Sequence, residues 1–111
     1  MKISARRMEK VTIFDISGNI DLSQSPEVRK VLLKEMREAS VPRVMLNLSD
    51  VNYIDSSGIA SLVEGLKLSR ELNSRFILFG LSTNAREVLQ ISRLLSFFEI
   101  YENEEQAVAA A

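Results

Sequence analysis

The sequence has 111 residues, 46% hydrophobic and 26% charged, with a formal net charge of −1, which suits one domain with its own core. The balanced charge leaves no electrostatic footprint for nucleic acid or an anionic membrane, and no apolar run nears the roughly 20 residues that span a bilayer. With no histidine and no cysteine, thiol nucleophiles, Ser-His-Asp triads and His/Cys metal sites are excluded together.

The opening residues, Met1 to Arg7, contain no apolar stretch of the kind a secretory signal needs, so a cytoplasmic address is expected. Weak alternation over 2–7 predicts a first strand, and Met8-Glu9-Lys10 a turn. Val11-Thr12-Ile13-Phe14-Asp15-Ile16 is β-branched and mostly apolar, a clearer strand, which Gly18-Asn19 is expected to end. Ser25-Pro26-Glu27 reads as a helix start, with a hydroxyl cap, proline at the first helical position and an acid in the first turn. Val28, Val31, Leu32, Met36 and Ala39 give that helix an apolar face, and Pro42 is expected to close it.

Residues 43–48 predict the next strand. After a short loop, Asp55-Ser56-Ser57-Gly58 precedes Ile59, Leu62, Val63 and Leu66, spaced i, i+3, i+4, i+7 as on one face of a helix. That helix is expected to run to about Asn73. Gly65 inside it costs roughly 1 kcal/mol against alanine and is read as a close-packing position. Glu64, Lys67, Leu68 and Glu71 are read as its solvated face.

Phe76-Ile77-Leu78-Phe79 is a continuous apolar run, as in a strand buried on both faces. Ser82-Thr83-Asn84 offers caps for a third helix, whose buried side is Ala85, Val88 and Leu89. Leu94 and Leu95 fall in a short turn, and Phe97–Tyr101 predicts a last strand. A final helix runs from about Asn103 into the alanine tail, and the acids of Glu102-Asn103-Glu104-Glu105 suit its N-terminus. The order β-β-α-β-α-β-α-β-α predicts an α/β domain with a mixed, mostly parallel sheet of four to five strands and helices mainly on one face.

Ser56 and Ser57 therefore lie at a helix N-terminus, where free N–H groups and the helix dipole favour negative charge. Asp55, Ser56 and Ser57 are all preferred capping types, and one suffices for a cap. By spacing alone, capping is the commoner role and a phosphate-carrying hydroxyl the rarer one. Gly58 either permits close backbone approach or leaves room for a partner. Asp21, in Gly18-Asn19-Ile20-Asp21, reads as a loop acid turning the chain towards Ser25.

The string Tyr53-Ile54-Asp55-Ser56-Ser57-Gly58-Ile59-Ala60, with Gly18, Ile20 and Asp21 upstream and Phe76–Leu81 downstream, resembles bacterial anti-sigma factor antagonists, the soluble STAS-domain proteins. The resemblance covers nearly the whole chain and implies a single STAS domain over 1–111. It implies that an anti-sigma factor that is itself a serine kinase phosphorylates Ser56, and that a phosphoserine phosphatase reverses the modification. It also implies that the unphosphorylated form binds the anti-sigma factor and frees the sigma factor. Asp21, Asp55, Ser57, Gly58 and Ile59 would then belong to the partner surface, with no cofactor, metal, nucleic acid or membrane required.

The sequence departs from the family pattern at Ala60, where many members have glycine, and at Asn19, where an acid is frequent. The competing readings are a non-switching STAS scaffold or transport-complex subunit, whose serine only caps the helix, and an enzyme with a serine nucleophile. The enzyme reading lacks a base: no Ser-x-x-Lys follows Ser56, since Ile59 holds that place. The protein is therefore expected not to be an enzyme.

Overall fold

In the computed structural model, which describes residues 1–110, β1 (Lys2–Arg7) and β2 (Val11–Ile20) form an antiparallel hairpin. α1 (Ser25–Ala39) leads to β3 (Arg43–Ile54), α2 (Ser56–Glu71), β4 (Arg75–Phe79) and α3 (Thr83–Ile91). A 3₁₀ turn (Leu95–Phe97), β5 (Glu99–Tyr101) and α4 (Glu104–Ala109) complete the chain. The sheet has five strands in the order β1-β2-β3-β4-β5, and every pairing after the first hairpin is parallel. Strands joined by helices pair in parallel because a crossover must return the chain to the same end of the sheet.

Strand periodicity divides the core in two. Phe14 and Ile16 of β2, Leu46 and Leu48 of β3, and Phe76 and Leu78 of β4 point to one face. There they meet Val28, Leu32 and Met36 of α1, Ile59, Leu62 and Leu68 of α2, and Ala85 and Leu89 of α3. Ile13, Met45, Ile77 and Phe79 point to the other face, where Ala107 of α4 packs on them. Helices thus lie mainly on one face, as the element order predicts. The Phe76–Phe79 run is buried throughout because both of its faces are covered.

Several boundaries differ from expectation. β2 does not end at Gly18: the glycine takes φ +93°, and the β2–β3 ladder shifts register there and continues to Ile20–Ile54. Such a bulge absorbs an extra residue without ending the pairing. β3 accordingly extends to Ile54 along its β2 edge. α1 is closed by Ser40, left-handed at φ 45°, before Pro42 is reached. Ser25 does not cap α1: it is buried, and Gln24 occupies the cap position without a side-chain bond. Leu68 belongs to the core and not to the solvated face of α2. Phe97 stands in the 3₁₀ turn, 58% exposed, and not in a strand.

Candidate functional site

Two turns meet at the carboxyl ends of β2 and β3. One, residues 21–24, carries the chain from Ile20 into α1; the other is Asp55, between Ile54 and α2. They are neighbours because Ile20 pairs with Ile54 and the Asp55 N–H donates to the Ile20 carbonyl at 3.3 Å. In parallel α/β sheets this end, where strands hand over to helices, is the usual place for ligands and partners.

Asp55 is the N-cap of α2. Its Oδ1 accepts the N–H of Ser57 at 2.9 Å, the N–H of Gly58 at 3.1 Å and the Ser57 hydroxyl at 2.5 Å. Its Oδ2 accepts the N–H of Leu22 at 3.2 Å. One carboxylate therefore caps α2 and holds the neighbouring turn. The Ser57 hydroxyl, then the N–H groups of Gly58, Ser57 and Leu22, hold Asp55 below the usual carboxylate range against some desolvation. Asp21 stabilises its own turn: Oδ1 accepts the Ser23 hydroxyl at 2.7 Å and the N–H groups of Ser23 and Gln24. The Ser23 hydroxyl foremost lowers the Asp21 pKa, while the charge on Asp55 pushes it up.

The two serines have different environments. Ser57 is half-buried with its hydroxyl committed to Asp55. Ser56 is exposed in the first position of α2, and its hydroxyl has no hydrogen-bond partner among the described residues. Capping is thus done by Asp55, which leaves the Ser56 oxygen available to solvent or a partner.

Gly58 and Ile59 are buried beneath this surface. A Cβ on Gly58 would lie 2.5 Å from Ile54 Cγ1 and 2.7 Å from the Ile20 carbonyl oxygen. Glycine here lets the first turn of α2 sit directly on the ends of β2 and β3. Ile59, 3% exposed, anchors that turn in the core. Asp21, Asp55 and Ser56 supply the outward-facing chemistry. Ala60 is exposed beside them, and Asn19 is exposed on β2, where it pairs with Tyr53.

Sequence reasoning did not anticipate two contributors. Leu22, 74% exposed, is tied to Asp55 through its backbone, which no side-chain pattern signals. Asn84, expected only as a cap for α3, accepts the Ile54 N–H at 3.0 Å through Oδ1. β4 pairs with β3 only as far as Asn47–Phe79, so Asn84 satisfies a donor of β3 that lies beyond the end of β4. No cluster of metal-ligating side chains occurs among the described residues, and no described helix is long and apolar enough to cross a membrane.

A STAS-domain profile matches residues 2–107. The anti-sigma-B factor antagonist of Listeria monocytogenes is 32% identical over 101 residues, 90% of this chain and 86% of that protein. An anti-sigma-factor antagonist (STAS) domain protein from Planctomyces limnophilus superposes with a TM-score of 0.86 at 23% identity, over 96% of this chain and 94% of that one. The Bacillus cell fate determinant SpoIIAA in its phosphorylated form superposes with a TM-score of 0.74 at 19% identity over 96% of this chain and of that chain.

Proposed function

This chain belongs to the STAS-domain family, and from that premise we propose that it is an anti-sigma factor antagonist switched by phosphorylation of Ser56. The unmodified form binds an anti-sigma factor that is also a serine kinase, and a sigma factor is released. The kinase transfers a phosphoryl group to the Ser56 oxygen, binding is lost, and a phosphoserine phosphatase resets the cycle.

The observation that carries this reading is the contrast between the serines: Ser56 is exposed with a free hydroxyl, whereas the Ser57 hydroxyl is bonded to Asp55 at 2.5 Å. Phosphorylation adds about −1.5 to −2 charge at neutral pH. Asp55 and Asp21 already occupy this end of the sheet, and Asp55 consumes the nearest N–H donors, those of Ser57 and Gly58. A partner packed on the neutral hydroxyl would have to desolvate a dianion beside two carboxylates, a cost of several kcal/mol when a charge is buried unpaired.

Phosphopeptide mapping after incubation with the organism's anti-sigma kinases should place the phosphate on Ser56, and Ser56→Ala should abolish it while still binding the partner. In titration calorimetry the phosphorylated protein should bind at least a hundredfold more weakly than the unmodified one. Phosphate on Ser57 would refute the residue assignment. Equal affinities would refute the switch and favour a scaffold in which the serine is passive.

A further inference from the structure

The exposed side of α2 does not end at Ser56. An open hollow of about 420 Å³ begins at Ser56 and follows Ala60, Val63 and Lys67 towards Leu94, with one acid, Glu64, in its lining. It shares Val63, Lys67 and Leu94 with a second hollow of about 140 Å³, whose other walls are Leu66, Arg70, Phe97 and Phe98. Together they make one groove between α2 and the turn that follows α3. Its floor is apolar. Phe97 is 58% exposed at its far wall. Phe98 beneath is fixed by burial and by its ring contact with Phe76, centroids 6.3 Å apart.

The charges in the second hollow are of one sign. Lys67 and Arg70 line it, and no acid does. Neither cation forms an ion pair among the described residues, whereas Arg6, Arg7 and Arg75 all do. An apolar hollow edged by unpaired cations complements an apolar ridge flanked by acids. One wall is α2 and the other is the 3₁₀ turn Leu95–Phe97 with its flanking Leu94 and Phe98; neither is a strand, so an extended peptide could not add itself there by backbone pairing. Side chains must do the recognising, and the run Val63, Leu66, Lys67, Arg70 extends over about 10 Å at 1.5 Å per residue, two turns of a facing helix. The surface is concave, which favours a protruding ridge over the flat face of a bilayer.

We propose that this groove takes an acidic amphipathic helix of the anti-sigma factor, as a contact that adds to the one at Ser56 and continues from it. The inference rests on the reading of Ser56 as partner surface. Because the groove shares its upper end with Ser56, one partner covers both. The far end, at Phe97 and Arg70, lies beyond the phosphate's immediate reach and supplies affinity and partner discrimination rather than the switch.

The test compares wild type, Phe97→Ser and the double variant Lys67→Glu/Arg70→Glu, each titrated against the purified full-length anti-sigma factor of the same organism, with and without Ser56 phosphorylation. Phe97→Ser should weaken binding at least tenfold. The charge reversal should weaken it about as much and flatten its dependence on salt. Both variants should still lose binding when Ser56 is phosphorylated. Circular dichroism reports folding; should Phe97→Ser unfold, the double variant, whose changes are both exposed, decides alone. If both variants bind within twofold of wild type while phosphorylation of Ser56 abolishes binding, the groove proposal is overturned and the switch stands. If unmodified wild type does not bind, both fall. Binding of wild type to phosphatidylglycerol vesicles, lost in Phe97→Ser with partner affinity unchanged, would make the groove a membrane surface and overturn the proposal.

Discussion

The Asp55 carboxylate holds two turns together, capping α2 with Oδ1 and fixing the Leu22 turn with Oδ2. Its charge is stabilised by those donors, so its folded-state pKa is depressed. A depressed carboxylate stabilises the fold above its unfolded-state pKa, about 3.9 for aspartate, and that contribution disappears as pH falls through the folded-state value. Carbon-13 NMR should find the Asp55 carboxyl titrating below a free aspartate peptide, with the amide signals of Leu22, Ser57 and Gly58 moving at the same midpoint. Asp55→Asn keeps Oδ1 as an acceptor of good capping type and removes the charge, but its Nδ2 cannot accept the Leu22 N–H that Oδ2 holds; the Ser57 and Gly58 amides should stay in place, the Leu22 amide should shift, and none should show a midpoint there. Amide signals that titrate unchanged in Asp55→Asn would assign the effect to another group, Asp21 foremost.

Among the elements, α2 does most to connect core and surface, and it contains two glycines of different kinds. Gly58 faces a backbone oxygen, which cannot move aside. Gly65 faces side chains: a Cβ there would lie 2.7 Å from Phe76 Cζ and 2.8 Å from Leu32 Cδ2. Alanine in a helix interior gains about 1 kcal/mol over glycine, whereas overpacking a filled core costs about 1–3 kcal/mol. Phe76 is the decisive neighbour, because its ring is buried and wedged against Phe98. Gly65→Ala should therefore be destabilised by about 1 kcal/mol in urea unfolding; a more stable variant would show that the ring relaxes freely. The close packing at Gly65 was legible in the sequence, as were the element order, the doubly buried β4 and the cap candidates before α2. Much of what was not legible depends on distant partners. β3 reaches Ile54 because β2 and Asn84 satisfy it from elsewhere in the chain. Leu68 is buried because α2 presents a wider apolar face than its i, i+3, i+4 residues alone mark. The division of labour between Ser56 and Ser57 follows from the i, i+2 bond of Ser57 to Asp55, the same bond that Ser23 makes to Asp21 and Ser49 to Asn47, a local pattern that the capping preference alone does not single out.

At the scale of the whole molecule, the question is whether phosphorylation acts by unfolding or by changing a surface. An anion within the first turn of a helix gains about 0.3–1 kcal/mol from the dipole. Repulsion from Asp55 and Asp21 opposes that gain, and at an exposed position salt screens it over about 8 Å under physiological conditions. The two effects are of similar size and opposite sign. Ser56 itself contributes no cap to be lost, since Asp55 holds the N–H groups of Ser57 and Gly58, and the residues beneath, Gly58 and Ile59, are fixed by the core. The melting temperature of the phosphorylated protein should thus lie within about 4 °C of the unmodified one, the shift that roughly 1 kcal/mol produces in a domain of this size. The difference should shrink further as salt is added, while partner binding is lost throughout. A drop of 10 °C or more would mean that the phosphate displaces Asp55 from the α2 cap, and the mechanism would then be local unfolding of the helix start rather than a charge placed on an intact surface.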